Sequence, residues 1–161
     1  MKALRSAKIG SVTKYRVLFI CIGNACRSPM AEGFARTYGA DVLIPLSAGL
    51  APALAVAPLT QRVMIEKNID LGDCYPKGLQ HVQGEFDLII NMSGFSLPEH
   101  RGAQVEVWDV LDPIGESQEV FRQVRDQIEQ RVLELIERLR TTEPAAAEVV
   151  SAIPVASRLK G

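Results

Sequence analysis

Cys21 and Arg27 are separated by five residues, and the apolar run Val17-Leu18-Phe19-Ile20 leads directly into the first of them. That pair of residue types at that spacing is a phosphate-site pattern. A strand ending at Cys21, a short loop through Ile22, Gly23, Asn24, Ala25 and Cys26, and a helix opening at Ser28-Pro29 would set a thiol and a guanidinium around one oxyanion. The loop N–H groups would then turn inward, and the positive end of the helix would favour both a thiolate and a bound phosphate. Cys21 becomes a candidate nucleophile that attacks phosphorus in line, forms a phosphocysteine and lets water complete the hydrolysis. Arg27 would hold two nonbridging oxygens with its planar fork and offset the charge redistributed during transfer, which lysine cannot do bidentately. Taken singly, Cys21 reads as a packing residue at a strand end and Arg27 as a surface residue at a helix start. Their spacing reverses both readings.

Strands and helices in alternation are needed to position such a loop, and the remaining pattern supplies them. The spacing predicts a helix from Pro29 to about Tyr38, with Met30, Ala31 and Phe34 free to cover a sheet. Val42-Leu43-Ile44 precedes Ser47-Ala48-Gly49 and reads as a buried second strand ending in a loop. Pro58 to Asn68 carries Leu59, Val63 and Met64 at helical spacing, Asp87 to Met92 reads as a third strand, and Val105, Val107 and Trp108 as a fourth. The clearest helix follows Ser117, a good N-cap, with an apolar stripe from Val120 to Leu139 that ends at about Arg140. The fold class expected is α/β: a single three-layer domain with a four-stranded parallel sheet and helices on both faces. Its active loops lie at the carboxyl ends of the strands. The domain spans residues 16–140, between an N-terminal extension (1–15) and a C-terminal tail (141–161) rich in alanine, with Pro144 and Pro154.

Composition narrows the function. The chain has 161 residues, room for one domain of ordinary size, and a formal net charge of -1, so it lacks the basic excess of a nucleic-acid binder. No apolar run reaches membrane-spanning length, and the first sixteen residues lack the hydrophobic segment of a secretory signal. The expectation is a cytoplasmic protein with neither nucleic-acid nor membrane partners. Cys21 and Cys26 are separated by four residues, and no dense cluster of cysteine or histidine accompanies them, the histidines being His81 and His100, so no metal is expected. Both histidines read as exposed loop residues, and Cys74 as structurally ordinary.

The stretch from Val17 to Glu32, through Cys21-Ile22-Gly23-Asn24-Ala25-Cys26-Arg27-Ser28-Pro29-Met30-Ala31-Glu32, resembles the N-terminal signature of low-molecular-weight protein tyrosine phosphatases. Ser47-Ala48-Gly49, Phe86-Asp87-Leu88-Ile89-Ile90 and Asp112-Pro113 continue it in family order. The resemblance implies a phosphoprotein phosphatase, most simply for phosphotyrosine, that needs no cofactor. Its substrate would be a phosphorylated protein or a small aryl phosphate, and inorganic phosphate its product and inhibitor. Residues 22–28 and Ile114 would surround the substrate. Asp112, matched to the family's general acid, would protonate the leaving oxygen and then activate water; Asp109, three residues earlier, is the competing carboxylate. Asn24 would hold a strained loop, Ser28 would hydrogen-bond the thiolate, and Ser47 would join that support. Cys26 would pair with Cys21 on oxidation.

Departures from the family pattern bear on the substrate. Ile114 and Gly115 follow Asp112-Pro113 where tyrosine phosphatases of this family carry an aromatic wall, and the stretch looks similar to bacterial relatives that include protein-arginine phosphatases. Ala25 supports neither choice, and Ser93 stands where many relatives have an acidic residue. A thioredoxin-coupled arsenate reductase has a similar loop and fold, but its relay needs further cysteines, and Asn91-Met92-Ser93-Gly94-Phe95-Ser96 offers none. A non-catalytic phosphate-binding module is a third alternative. Gly115, just beyond the acid, suggests a loop that closes over substrate.

Overall fold

Val12–Cys21 is the central strand of the molecule, and its residues from Val17 to Cys21 are buried without interruption. The computed structural model describes residues 6–9 and 12–142. In chain order the elements are β1 (Ser6–Ile9), β2 (Val12–Cys21), α1 (Arg27–Gly39), β3 (Leu43–Gly49), α2 (Pro58–Ile65), β4 (Leu88–Asn91), β5 (Gln104–Val107) and α3 (Gln118–Thr141). Four strands are parallel, in the spatial order β3-β2-β4-β5. The register runs from Tyr15 opposite Leu43 to Cys21 opposite Gly49 on one side of β2, and from Val17 opposite Leu88 to Ile20 opposite Asn91 on the other.

The four-stranded parallel sheet is as the pattern predicts, with one addition. β1 pairs antiparallel with the start of β2, Ser6 opposite Tyr15 and Ile9 opposite Val12. Part of the segment read as an N-terminal extension therefore belongs to the sheet. β1 was hidden in the sequence because four residues with a single large apolar side chain show no usable alternation. Of the tail, only Thr141 and Thr142 lie within the described residues.

Val17, Phe19 and Cys21 face one side of the sheet, where Met30 and Phe34 of α1, Val63 and Met64 of α2, and the stripe from Phe121 to Leu139 of α3 close over them. Phe19, Met30, Phe34 and Val63 are fully buried, each contributing about 1.5–3 kcal/mol of transfer free energy. Leu18, Ile20 and Ile89 face the other side and meet Val82 and Phe86. That second layer is thinner than a face of α-helices: one 3-10 turn, Leu79–His81, and its flanking loops cover it. Helices on both faces were expected, but among the described residues the three α-helices share one face. The segment 74–87 has no helical run of apolar residues to bury, so loops with Leu79, Val82 and Phe86 fill the space instead.

Each α-helix has a local cause. Ser117 Oγ accepts a hydrogen bond from the Val120 amide at 3.3 Å and starts α3, while Arg138 and Arg140 sit in its last turn, where the helix dipole favours cations. Pro58 opens α2, which stops at Ile65, short of the expected Asn68; Asn68 takes a left-handed conformation, φ 62°, that leaves the helix. α1 begins at Arg27, where the Met30 amide reaches the Cys26 carbonyl at 3.1 Å. The helix thus starts inside the loop that leaves Cys21.

Candidate active site

Cys21 is the last residue of β2, so the chain must turn out of the sheet at the thiol and into α1 six residues later. The turn is anchored from outside by its carbonyls. Those of Ile22, Gly23 and Ala25 accept from the amides of Ala51, Ala53 and Ala57, at 2.8, 2.9 and 3.1 Å. With the carbonyls turned outward, the amides from Gly23 to Arg27 donate to no group among the described residues. Consecutive unpartnered N–H groups at a helix start form an anion-binding concavity. The segment 50–57 is the outer brace of this loop.

The brace demands a close approach. A Cβ added to Gly49 would lie 2.7 Å from the Ile22 oxygen, 2.8 Å from the Asn24 nitrogen and 2.9 Å from the Gly23 carbonyl carbon. Glycine is required there by space. Asn24 itself has φ 52°, a left-handed conformation that asparagine tolerates better than most side chains.

Beneath the loop lies a buried chain of polar side chains. The Lys77 amide donates to Asn24 Oδ1 at 3.0 Å, and Asn24 Nδ2 lies 2.7 Å from Ser28 Oγ and 3.0 Å from Ser47 Oγ. Ser28 Oγ is 3.0 Å from Cys21 Sγ, and the Ser28 amide points at the same sulfur from 3.4 Å. Ser28 thus meets the sulfur with both its hydroxyl and its amide, at the positive end of α1. Ser47 Oγ in turn donates to the carboxylate of Glu32, which also pairs with Arg36. Asn24, Ser28 and Ser47 are brought together as the family resemblance implied. Glu32 and the Lys77 amide were missed; the one available signal was a carboxylate four residues after Ser28, on the same helix face as Ser28.

Arg27 is 4 % exposed, and its guanidinium is oriented by backbone. Nη1 donates to the carbonyls of Met92 and Val110, the latter at 3.1 Å, and Nη2 lies 3.4 Å from Asp112 Oδ2. Nε is buried without a hydrogen-bond partner. The Nε–Nη2 edge is therefore the one left for two oxygens of a bound anion. Asp112 is 39 % exposed, and its Oδ1 accepts from the Ile114 amide at 3.2 Å. Asp109 lies apart: it is exposed, and its carbonyl accepts from Gln127 of α3. Of the two carboxylates, only Asp112 reaches Arg27.

Ile114 is exposed, and Leu54, on the brace, fully so. Ala25 is buried against the core. Cys26 is buried too, and desolvation pushes its thiol up to about 11, with the neighbouring Cys21 adding to the effect. Both cysteines are reduced, as is half-buried Cys74. After β4, Asn91 Oδ1 accepts from the Ser93 amide and hydroxyl at 3.0 and 2.7 Å, and Asn91 Nδ2 donates to the Phe95 carbonyl. Ser93 is thus locked in a buried turn. His81 and His100 are exposed and distant in sequence from every residue of the loop. No cluster of three or more potential metal ligands occurs among the described residues, and no helix there is long and apolar enough to cross a membrane.

A family model described as low molecular weight phosphotyrosine protein phosphatase matches residues 16–145. A glutaredoxin arsenate reductase from Synechocystis is 36% identical over 129 residues, which cover 77% of this chain and 98% of that protein. Arsenate reductase 1 of Bacillus cereus is 32% identical over 126 residues, 74% of this chain and 92% of its own length. Among solved structures, an arsenate reductase in the phosphate binding state superposes with a TM-score of 0.72 at 37% identity, covering 78% of this chain and 98% of the other. An arginine phosphatase from Geobacillus stearothermophilus superposes with a TM-score of 0.68 at 26% identity, covering 80% and 94%.

Proposed function

Because the chain belongs to the low molecular weight phosphotyrosine protein phosphatase family, we propose that it is a cysteine-dependent enzyme in which Cys21 bonds covalently to a tetrahedral oxyanion, and that this oxyanion is arsenate. The observation that carries the oxyanion site is the buried Nε of Arg27, which with the loop amides beside it has no hydrogen-bond partner among the described residues. Likeness to proteins named as arsenate reductases supports arsenate over a phosphoprotein.

In the first step Cys21 attacks arsenic while one oxygen, protonated by Asp112, leaves as water and an S–As(V) bond forms. A thiol from outside the chain then attacks Cys21 Sγ. An S–S bond forms, the electron pair of the S–As bond stays with arsenic, and arsenite leaves as As(III). A second external thiol opens the mixed disulfide and restores Cys21, so two thiols are oxidised for each arsenate reduced. The reductant is external for two reasons. Cys26 is buried and protonated through the neutral range, and Ser93 occupies the turn after β4 where a relay would need a thiol. A self-contained thioredoxin-coupled relay is therefore not part of the proposal.

The geometry of Asp112 favours a second reading, phosphomonoester or phosphoramidate hydrolysis. Its half-exposed carboxylate beside Arg27 can protonate a leaving group and later deprotonate water, so this chemistry needs nothing beyond the chain and water. The arginine phosphatase neighbour supports this branch. Phosphotyrosine in particular gains no support, because exposed Ile114 and Leu54 give an aliphatic rim where an aromatic wall would flank a phenyl ring.

One experiment separates the readings: incubation with arsenate, glutathione and a glutaredoxin, with arsenite measured, in parallel with hydrolysis of an aryl phosphate. Arsenite formation that requires Cys21 and added thiol, and survives Cys26→Ser and Cys74→Ser, is expected. Aryl phosphate turnover through Cys21 without arsenite would reject arsenate reduction in favour of hydrolysis.

A further inference from the structure

Glu32 is a carboxylate 8 % exposed, one turn along α1 from Ser28, and it touches neither the sulfur nor the anion-binding edge of Arg27. Its partners run back towards the thiol: it accepts from Ser47 Oγ, Ser47 lies against Asn24, and Asn24 lies against Ser28. The direction of every link follows from which groups can only donate or only accept. The Lys77 amide can only donate, so the Asn24 atom facing it is Oδ1 and the atom facing both serines is Nδ2. Asn24 Nδ2 can only donate, so the Ser47 oxygen accepts from it and the single Ser47 proton goes to Glu32. The Ser28 oxygen likewise accepts from Asn24, which leaves the Ser28 proton for Cys21 Sγ at 3.0 Å or the Ala48 carbonyl at 3.5 Å, and the sulfur is nearer.

We propose that Glu32 is a positioning residue for the reaction: by taking the Ser47 proton it leaves the Ser47 oxygen to accept from Asn24, and so holds the Asn24 amide, already oriented by the Lys77 amide, in place as donor to Ser28, whose own proton then goes to Cys21 Sγ and holds that sulfur as the thiolate. Arg36, half-exposed on the next turn of α1, pairs with Glu32 and offsets its negative charge. Glu32 therefore acts by orienting hydrogen bonds, since its repulsion of the sulfur is compensated. With Glu32 removed, the Ser47 hydroxyl is free to rotate its proton towards Asn24 Nδ2, two donors then face each other, and the link to Ser28 loosens. The inference rests on the assignment of Cys21 as nucleophile, made in the proposed function, and is independent of the oxyanion.

The test is the alkylation rate of Cys21 by iodoacetamide in the full-length protein, followed by peptide mass spectrometry and expressed as the ratio of rates at pH 6 and pH 9. Glu32→Ala is expected to lower that ratio about threefold to tenfold, the range one hydrogen bond supplies. Ser47→Ala breaks the same chain one link nearer the sulfur, is expected to do the same, and serves alone if Glu32→Ala does not fold. The double variant is expected to lose no more than the worse single variant. An unchanged ratio in a folded Glu32→Ala or Ser47→Ala protein, or additive losses in the double variant, would overturn the proposal. Failure of the nucleophile assignment is read separately, as turnover that survives Cys21→Ser.

Discussion

Replacing Gly49 by alanine places a methyl group against the backbone of the phosphate loop, with three atoms of residues 22–24 between 2.7 and 2.9 Å away. All three are backbone, so no side chain can swing aside. Restoring ordinary contact, at about 3.4 Å or more, requires the loop or the end of β3 to move by roughly 0.5–0.7 Å. The stretch that follows Gly49 holds the loop through the Ala51, Ala53 and Ala57 amides, so the displacement is passed along the loop to the amides that face the anion. A 1 Å misplacement costs about 100-fold in rate, so about half of that displacement predicts a loss on the order of tenfold or more in kcat/KM. Crowding of this kind also costs about 1–3 kcal/mol of stability. Gly49 does not adopt a positive φ, so the effect is one of contact and not of backbone conformation. The assay is kcat/KM for an aryl phosphate or arsenate, measured well below the melting temperature, beside a denaturant titration. A Gly49→Ala protein with wild-type kcat/KM would refute the claim that this approach sets the shape of the loop.

Arg27→Lys keeps the charge but loses the Nε–Nη2 edge and leaves at least one of the Met92 and Val110 carbonyls without its donor. A fall of about 10²–10³ in kcat is expected, with a stability loss of about 1–3 kcal/mol by urea titration. Asp112→Asn preserves an acceptor for the Ile114 amide but has no proton to give. Hydrolysis of aryl phosphates with poor leaving groups should slow by about 10²-fold or more, and much less for activated ones, as read from the dependence of rate on leaving group. Burial raises the Cys26 thiol from 9.0 to about 11, so the native state keeps that proton longer than the unfolded chain does. The stability this represents is complete below about pH 9 and is lost as pH rises to about 11, by at most about 3 kcal/mol. Urea midpoints of wild type and Cys26→Ala, compared at pH 8 and pH 10.5, should converge at the higher pH.

The loop was legible because its chemistry is contiguous: strand, thiol, glycine, arginine and helix start follow one another between Val17 and Pro29, and local geometry dictates most of their arrangement. Ser117 and the stripe of α3 were legible for the same reason, since a cap and a period of 3.6 are local signals. What escaped depends on long-range contact. The Lys77 amide meets Asn24 across fifty-three positions, and a backbone donor leaves no mark in the side-chain sequence. Gly49 was visible only as part of Ser47-Ala48-Gly49, since its need for space arises from the register of Gly49 with Cys21. Asp112 and Asp109 could be ranked by resemblance alone, until the path after β5 brought one to Arg27 and left the other exposed. β1 was too short to show alternation, and the loops over Leu18 and Ile20 too irregular to be told from an absent layer.

Both readings of the function pass through a bond between Cys21 Sγ and the oxyanion, so the most direct test traps that bond. Rapid acid quench of the enzyme turning over a 32P-labelled aryl phosphate in metal-free buffer, followed by peptide mapping, should place the label on the peptide carrying Cys21. Cys21→Ser should carry none. Turnover without label at Cys21, or undiminished in Cys21→Ser, would contradict the account.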